Sequence, residues 1–165
     1  SSCSKKDEQN EEKKKDTVKT VDSTVSKADT LITSSSSTLT SSDVRKKFNE
    51  IKKKYENELD EIGKTDVKFV DLLNDGTEFA VLYYNLVAKG GNAMTGSGLL
   101  IYKINDDKLE FLQDYNLDGA VIKSIKDGII FCIKYDYAPG DPSCCPSKKK
   151  PFKLKYENNK LNFIP

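Results

Sequence analysis

The chain has 165 residues, a net charge of +1, no histidine and no tryptophan. Without an imidazole, neither a Ser-His-Asp nor a Cys-His nucleophile can be built, and the commonest zinc and iron ligand is missing. The balanced charge makes nucleic acid a poor default partner, and no apolar run approaches the ~20 residues of a membrane-spanning helix.

The composition divides the chain in two. Residues 1–42 hold no aromatic side chain and little apolar content, whereas every Tyr and Phe lies in residues 43–165. The first part reads as an amino-terminal tether and the second as one globular domain with a modest core. Ser34-Ser35-Ser36-Ser37 and its Thr/Ser neighbours cannot bury enough apolar area to order themselves. Val18, Val21, Val25, Ala28 and Ile32 fall at 3-4-3-4 spacing, so a partner-dependent helix is the alternative to a tether. Ser1-Ser2-Cys3-Ser4 resembles the trimmed end of a bacterial lipoprotein signal peptide, in which the cysteine sulfur is acylated. Lys5, Lys6, Asp7 and Glu8 after it resemble the export signal of surface lipoproteins of the Bacteroidetes. An acyl group on Cys3 would attach the chain to a membrane with no protein span.

Residues 43–62 predict an amphipathic helix. Val44, Phe48, Ile51, Tyr55, Leu59 and Ile62 form one apolar stripe, Ser42 or Asp43 can cap its start, and Gly63 stands where a helix would stop. From residue 66 the period changes to two. Val67–Leu73 is followed by the hairpin signal Asn74-Asp75-Gly76, then by a strand over Glu78–Ala88. Gly90 through Gly98 reads as a flexible loop. Strands follow at Leu99–Ile104, Lys108–Gln113, Ala120–Lys126 and Ile129–Tyr137, and after a cysteine loop over 138–149 at Phe152–Tyr156 and Leu161–Ile164. Short turns between successive strands force antiparallel neighbours. The expected fold is α+β: one amphipathic N-terminal helix packed on an antiparallel β-meander of about eight strands.

The cysteine loop carries the most specific pattern, Gly140-Asp141-Pro142-Ser143-Cys144-Cys145-Pro146-Ser147. With Val70-Asp71, Asn74-Asp75-Gly76, Glu78, Gly98–Tyr102 and Asp127-Gly128 in order before it, residues 66–164 resemble a family of small bacterial envelope lipoproteins. That family has a G-D-P-x-C-C-P-S motif and is best known from mycobacteria. The resemblance implies export, lipid anchoring and an envelope role, and no assigned molecular function.

With Cys3 acylated, Cys132, Cys144 and Cys145 remain as disulfide candidates in an oxidising envelope. One option is a strained, reducible vicinal Cys144–Cys145 bond, with Pro142 and Pro146 stiffening the loop. A second is a staple from Cys132 to one of the pair, and a third is that the thiols stay reduced. Cys132 should face opposite to Phe131 and Ile133. Asp136, Tyr137, Asp141, Lys148 and Lys149 are the binding-loop candidates, and Tyr135, Tyr137 and Tyr156 suit a recognition surface. Lys148-Lys149-Lys150 with Lys153 and Lys155 makes a basic strip that reads as a solvated strand edge or as a seat for an anionic partner. Asp71, Asn74, Asp75 and Glu78 fail the calcium-loop spacing, because Leu73 stands where a ligand belongs. No metal or other cofactor is expected.

These features point to a monomeric, non-catalytic lipoprotein of the bacterial outer membrane, on its surface or periplasmic face, presenting the cysteine loop to an envelope protein or glycan. The alternatives are a thiol-disulfide protein using Cys144 and Cys145, and a small-ligand carrier or carboxylate hydrolase.

Overall fold

A computed structural model describes residues 37–142 and 145–164. Helix α1 (Ser41–Ile51) leads into a single 3₁₀ turn at Lys52–Lys54. Eight strands follow: β1 (Asp60–Val70), β2 (Phe79–Ala88), β3 (Met94–Asn105), β4 (Lys108–Asn116), β5 (Val121–Lys126), β6 (Ile129–Asp136), β7 (Lys148–Glu157) and β8 (Lys160–Ile164).

The helix is shorter than its apolar stripe, and it opens the folded part rather than the chain. Thr40 caps it: its hydroxyl accepts from the Asp43 amide, and the Asp43 carboxylate accepts from the Thr40 amide at 3.0 Å. Asn57 ends the helical path. Its side-chain oxygen accepts from the amides of Leu59 and Asp60, both at 2.7 Å, and this local turn competes with further helix. Leu59, counted in the stripe, is consequently exposed, and Ile62 belongs to β1. Gly63 lies in a bulge of β1, where a Cβ would come within 2.8 Å of the Asn85 side chain.

The strands form two antiparallel sheets rather than one meander. β1-β2-β3-β4 make sheet A and β5-β6-β7-β8 make sheet B, each in chain order. Two-residue turns with positive φ close β3–β4 at Asp106-Asp107, β5–β6 at Asp127-Gly128 and β7–β8 at Asn158-Asn159. The expected hairpin forms, β1 pairing antiparallel with β2, but through a longer loop over 71–78 rather than a tight turn at Asn74-Asp75-Gly76. Asp71 organises it by accepting from the amides of Leu73 and Gly76, which turns Leu72 into the core. Asn74 then donates to the Asp127 carbonyl at 3.2 Å, tying this loop to a turn of sheet B.

Sheet A is covered on both sides. Phe79, Val81, Leu99 and Ile101 share one core with Ile130, Cys132, Leu154 and Tyr156 of sheet B. On the other face Ala80, Leu82, Tyr84, Leu100 and Tyr102 pack against Val44 and Phe48 of α1. The order of layers is therefore helix, sheet, sheet. This explains why Phe79–Tyr84 and Leu99–Tyr102 are continuous apolar runs: a strand buried on both faces has no polar side to alternate with. Sheet B alternates instead, Ile130 and Cys132 being buried while Ile129, Phe131 and Ile133 are half-buried on the opposite face. The expected facing of Cys132 away from Phe131 and Ile133 is what the sheet shows.

The chain passes from sheet A to sheet B through 117–120. The Leu117 amide donates to the Ser97 carbonyl at 2.9 Å, and the buried Ser97 hydroxyl donates to the Ala120 carbonyl at 2.6 Å. Asp118 and Gly119 both take positive φ there. Among the described residues no helix is long and apolar enough to cross a membrane. Cys3, the Lys5–Glu8 stretch and the Val18–Ile32 spacing lie outside the described residues.

Candidate functional site

Of the glycine-rich stretch read as a loop, residues 90–93 form a turn and loop while 94–98 are the start of β3, and the reason they are a strand also creates an open cleft. Gly98 lies directly across from Tyr84 of β2, and Gly96 across from Leu86. A Cβ at Gly98 would stand 2.5 Å from the Tyr84 hydroxyl oxygen and 2.6 Å from Cζ, so the phenol ring lies flat over bare backbone. The area that glycine cannot cover is covered by the neighbouring ring, which offsets glycine's poor strand preference.

That ring is the centre of an aromatic group. Tyr84 meets Phe48 at 5.5 Å and Tyr55 at 4.9 Å between ring centroids. Tyr55 follows the 3₁₀ turn, and its hydroxyl donates to an Asp114 carboxylate oxygen of β4 at 3.2 Å. Together with Thr95, Gly96, Ser97, Asn116 and Asp118 these groups line an open cleft of about 400 Å³. Burial, and then the Asp114 charge, push the Tyr84 phenol up to about 12 and move Tyr55 in the same direction. Both phenols are thus neutral at physiological pH. Tyr84 is buried between Phe48, Tyr55 and the Gly98 backbone, so the half-buried Tyr55 supplies the ring surface that the cleft presents, beside the Asp114 carboxylate, which accepts.

The cleft and the cysteine loop lie at the same end of the sandwich. The crossover held by Ser97 sets Asn116 and Asp118 at the cleft, and Asp118 is ion-paired with Lys134 near the end of β6. β6 then runs into the loop. Asp136 pairs with Lys150 at 2.5 Å, and Lys148 and Lys149 lie across from Asp136 and Tyr135. Pro139-Gly140 form a turn in which the Asp141 amide donates to the Ala138 carbonyl, Gly140 taking φ 91°. The Asp141 carboxylate accepts from the amides of Ala138 and Ser147, both at 2.7 Å, and so clamps the two ends of the loop. These bonds, Ala138 first, hold its carboxyl below the ordinary value of 3.8. Tyr137 is 55% exposed, and the Cys145 amide donates to the Pro142 carbonyl.

The thiols need one correction. Among the described residues no disulfide is present, and Cys132 carries a free, buried thiol. The staple from Cys132 to the loop is not formed, because β6 turns that side chain into the core between the sheets, across from Ile122 and Phe152. Burial pushes the thiol up to about 12, which suits a packing residue and not a nucleophile. The Cys144 half of the vicinal pair lies outside the described residues. Among the described residues no three His, Cys, Asp or Glu side chains are grouped to hold a metal ion.

Of the expected site residues, the structure gathers Asp136, Asp141, Lys148 and Lys149 around the base of the loop. It adds Tyr55, Tyr84 and Asp114, which no sequence spacing connects. No family model matches the chain, and no curated protein or solved structure is significantly similar to it.

Proposed function

We propose that this chain is a lipid-anchored envelope protein whose sandwich domain is a non-catalytic binding module, with the Tyr55–Tyr84–Asp114 cleft taking a neutral, hydroxyl-rich ligand of the sugar class. The lipid anchor rests on the likeness of Ser1-Ser2-Cys3-Ser4 to a processed lipoprotein end, and the envelope role on the Gly140–Ser147 motif. The binding role rests on one observation above all: two neutral tyrosines, tilted against each other, stand beside a carboxylate in a cleft of about 400 Å³. A pyranose offers a C–H face to an aromatic ring and hydroxyls to carboxylate, amide and hydroxyl groups, and a cleft of this size suits one or two sugar units. The cysteine loop at the same end would then border the ligand.

The competing readings have less support. A carboxylate hydrolase needs two carboxyl groups free to differ in protonation, and Asp118 is engaged by Lys134. The thiol-disulfide reading rests on Cys144 and Cys145 alone, because Cys132 is buried and protonated.

The chain has no tryptophan, so its intrinsic fluorescence comes from its eight tyrosines, of which Tyr55, Tyr84 and Tyr115 line the cleft. Titration with neutral gluco-, manno- and chito-oligosaccharides should give a saturable change with at least one of them. Tyr84→Ala and Asp114→Asn should abolish it. Silence across the whole set, or binding unaffected by both variants, would overturn the proposal.

A further inference from the structure

The outer face of sheet B has a charge pattern that the net charge of +1 conceals. Ile130 and Cys132 point into the core, so Ile129, Phe131, Ile133 and Tyr135 of β6 form a row on the opposite face, and none of these four belongs to either buried cluster. Lysines flank this row on both sides. On β7, Lys155, Lys153 and Lys149 lie directly across from Ile129, Phe131 and Tyr135. On β5, Lys126 lies across from Ile129, and Lys123 rises from a bulge to bring its Nζ within 5.9 Å of the Tyr135 ring centre. Glu157, two residues on from Lys155 in β7, is ion-paired with Lys155 and lies opposite Lys160, and exposed Asp127 stands in the turn at the end of the row.

We infer that this face binds a linear anionic polysaccharide, laid along β6 with its acidic groups reaching the lysines of β5 and β7. Same-face residues on one strand repeat about every 6.6 Å, and the two flanking strands stand about 10 Å apart. A furrow of that width, apolar along its floor and basic along both banks, matches a chain with acidic groups on its edges and C–H faces beneath. The same features disfavour other polyanions. The apolar side chains are half-buried beneath the longer lysines, so they do not protrude to enter a lipid bilayer. The Tyr135 ring is overlain by Lys123, so it gives no open platform for stacking a nucleic-acid base.

The test uses the full chain and size-defined heparin oligosaccharides, with affinity measured over a range of salt concentrations. Affinity should fall steadily as salt rises, because binding displaces counterions from the polymer. Lys153→Glu with Lys149→Glu should weaken it at least tenfold. Lys46→Glu with Lys47→Glu, on the exposed side of α1, should leave it unchanged. Equal loss from the α1 variant would mean diffuse charge attraction and would overturn the inference. So would tighter binding to phosphatidylglycerol vesicles or to single-stranded poly(U) than to heparin. Thermal melting of each lysine variant checks that these surface changes leave the fold intact.

Discussion

Gly98→Ala isolates the contact on which the cleft depends. Gly98 has no positive φ, so alanine meets no backbone penalty, and in an ordinary strand the change would stabilise by about 0.5–1 kcal/mol. Here the new Cβ would fall 2.5–2.8 Å from three atoms of the Tyr84 ring. Contact distances this short cannot persist, so the ring must move. The Tyr84 side chain is 6% exposed and held between Phe48 and Tyr55, so moving it disturbs the packing of α1 on sheet A. Overpacking of this kind costs about 1–3 kcal/mol, which outweighs the strand preference. Gly98→Ala should therefore lower stability by roughly 1–2 kcal/mol, or about 4–8 °C in melting temperature for a domain of this size. The assay is urea unfolding followed by far-ultraviolet circular dichroism, run as a double-mutant cycle with Tyr84→Ala. Without the ring, alanine at 98 should cost nothing or stabilise. A wild-type background in which Gly98→Ala stabilises, or a cost that survives removal of the ring, would refute the argument.

Three further outcomes are expected. Native Cys132 should resist maleimide at pH 8 and react promptly in guanidinium, as read by peptide mass mapping; rapid labelling of the folded chain would contradict its burial and raised thiol. The Tyr156 hydroxyl is buried with no hydrogen-bond partner, so Tyr156→Phe should be neutral or stabilise by up to about 1 kcal/mol in urea unfolding, and a clear loss would show the hydroxyl to be satisfied. The depressed Asp141 carboxyl contributes stability above its unfolded value of 3.8 that is lost as pH falls through the lower folded value. The amide signals of Ala138 and Ser147 should shift together in that acid window and lose the transition in Asp141→Asn; a transition at or above 3.8 would count against the clamp.

Much of the fold is legible because its punctuation is local. Asp106-Asp107, Asp127-Gly128 and Asn158-Asn159 tolerate the left-handed backbone that tight hairpins need, and each joins two strands that the sequence marks. Where two local signals compete, the sequence misleads. Tyr55, Leu59 and Ile62 continue a helical spacing, yet Asn57 between them closes a turn through two backbone amides, and the turn prevails because the stripe beyond it has only Leu59 to bury before β1 begins. The division into two sheets has a subtler mark. Phe79–Tyr84 is apolar on both faces whereas Ile129–Asp136 places Lys134 and Asp136 among its apolar residues, and only a sheet covered on both sides needs the first pattern.

The cleft was the least legible part, for a physical reason that also bears on its role. Tyr55, Tyr84 and Asp114 come from the end of a 3₁₀ turn, from β2 and from β4, and the hydrogen bond joining Tyr55 to Asp114 spans 59 positions. A spacing motif works when one turn or one helix face carries the chemistry, as in the Asp141 clamp, where both partners lie within six residues. The cleft has no such local frame. It exists because β3 gives up side chains at Gly96 and Gly98, letting Tyr84 lie over the backbone with Tyr55 tilted against it. A strand that gives up side-chain packing at two positions weakens its own preference for the sheet. The fold retains that weakness at a place where it opens a concavity lined with aromatic and carboxylate groups. That pairing of a local cost with a ready-made cleft favours a binding role there over a purely structural one.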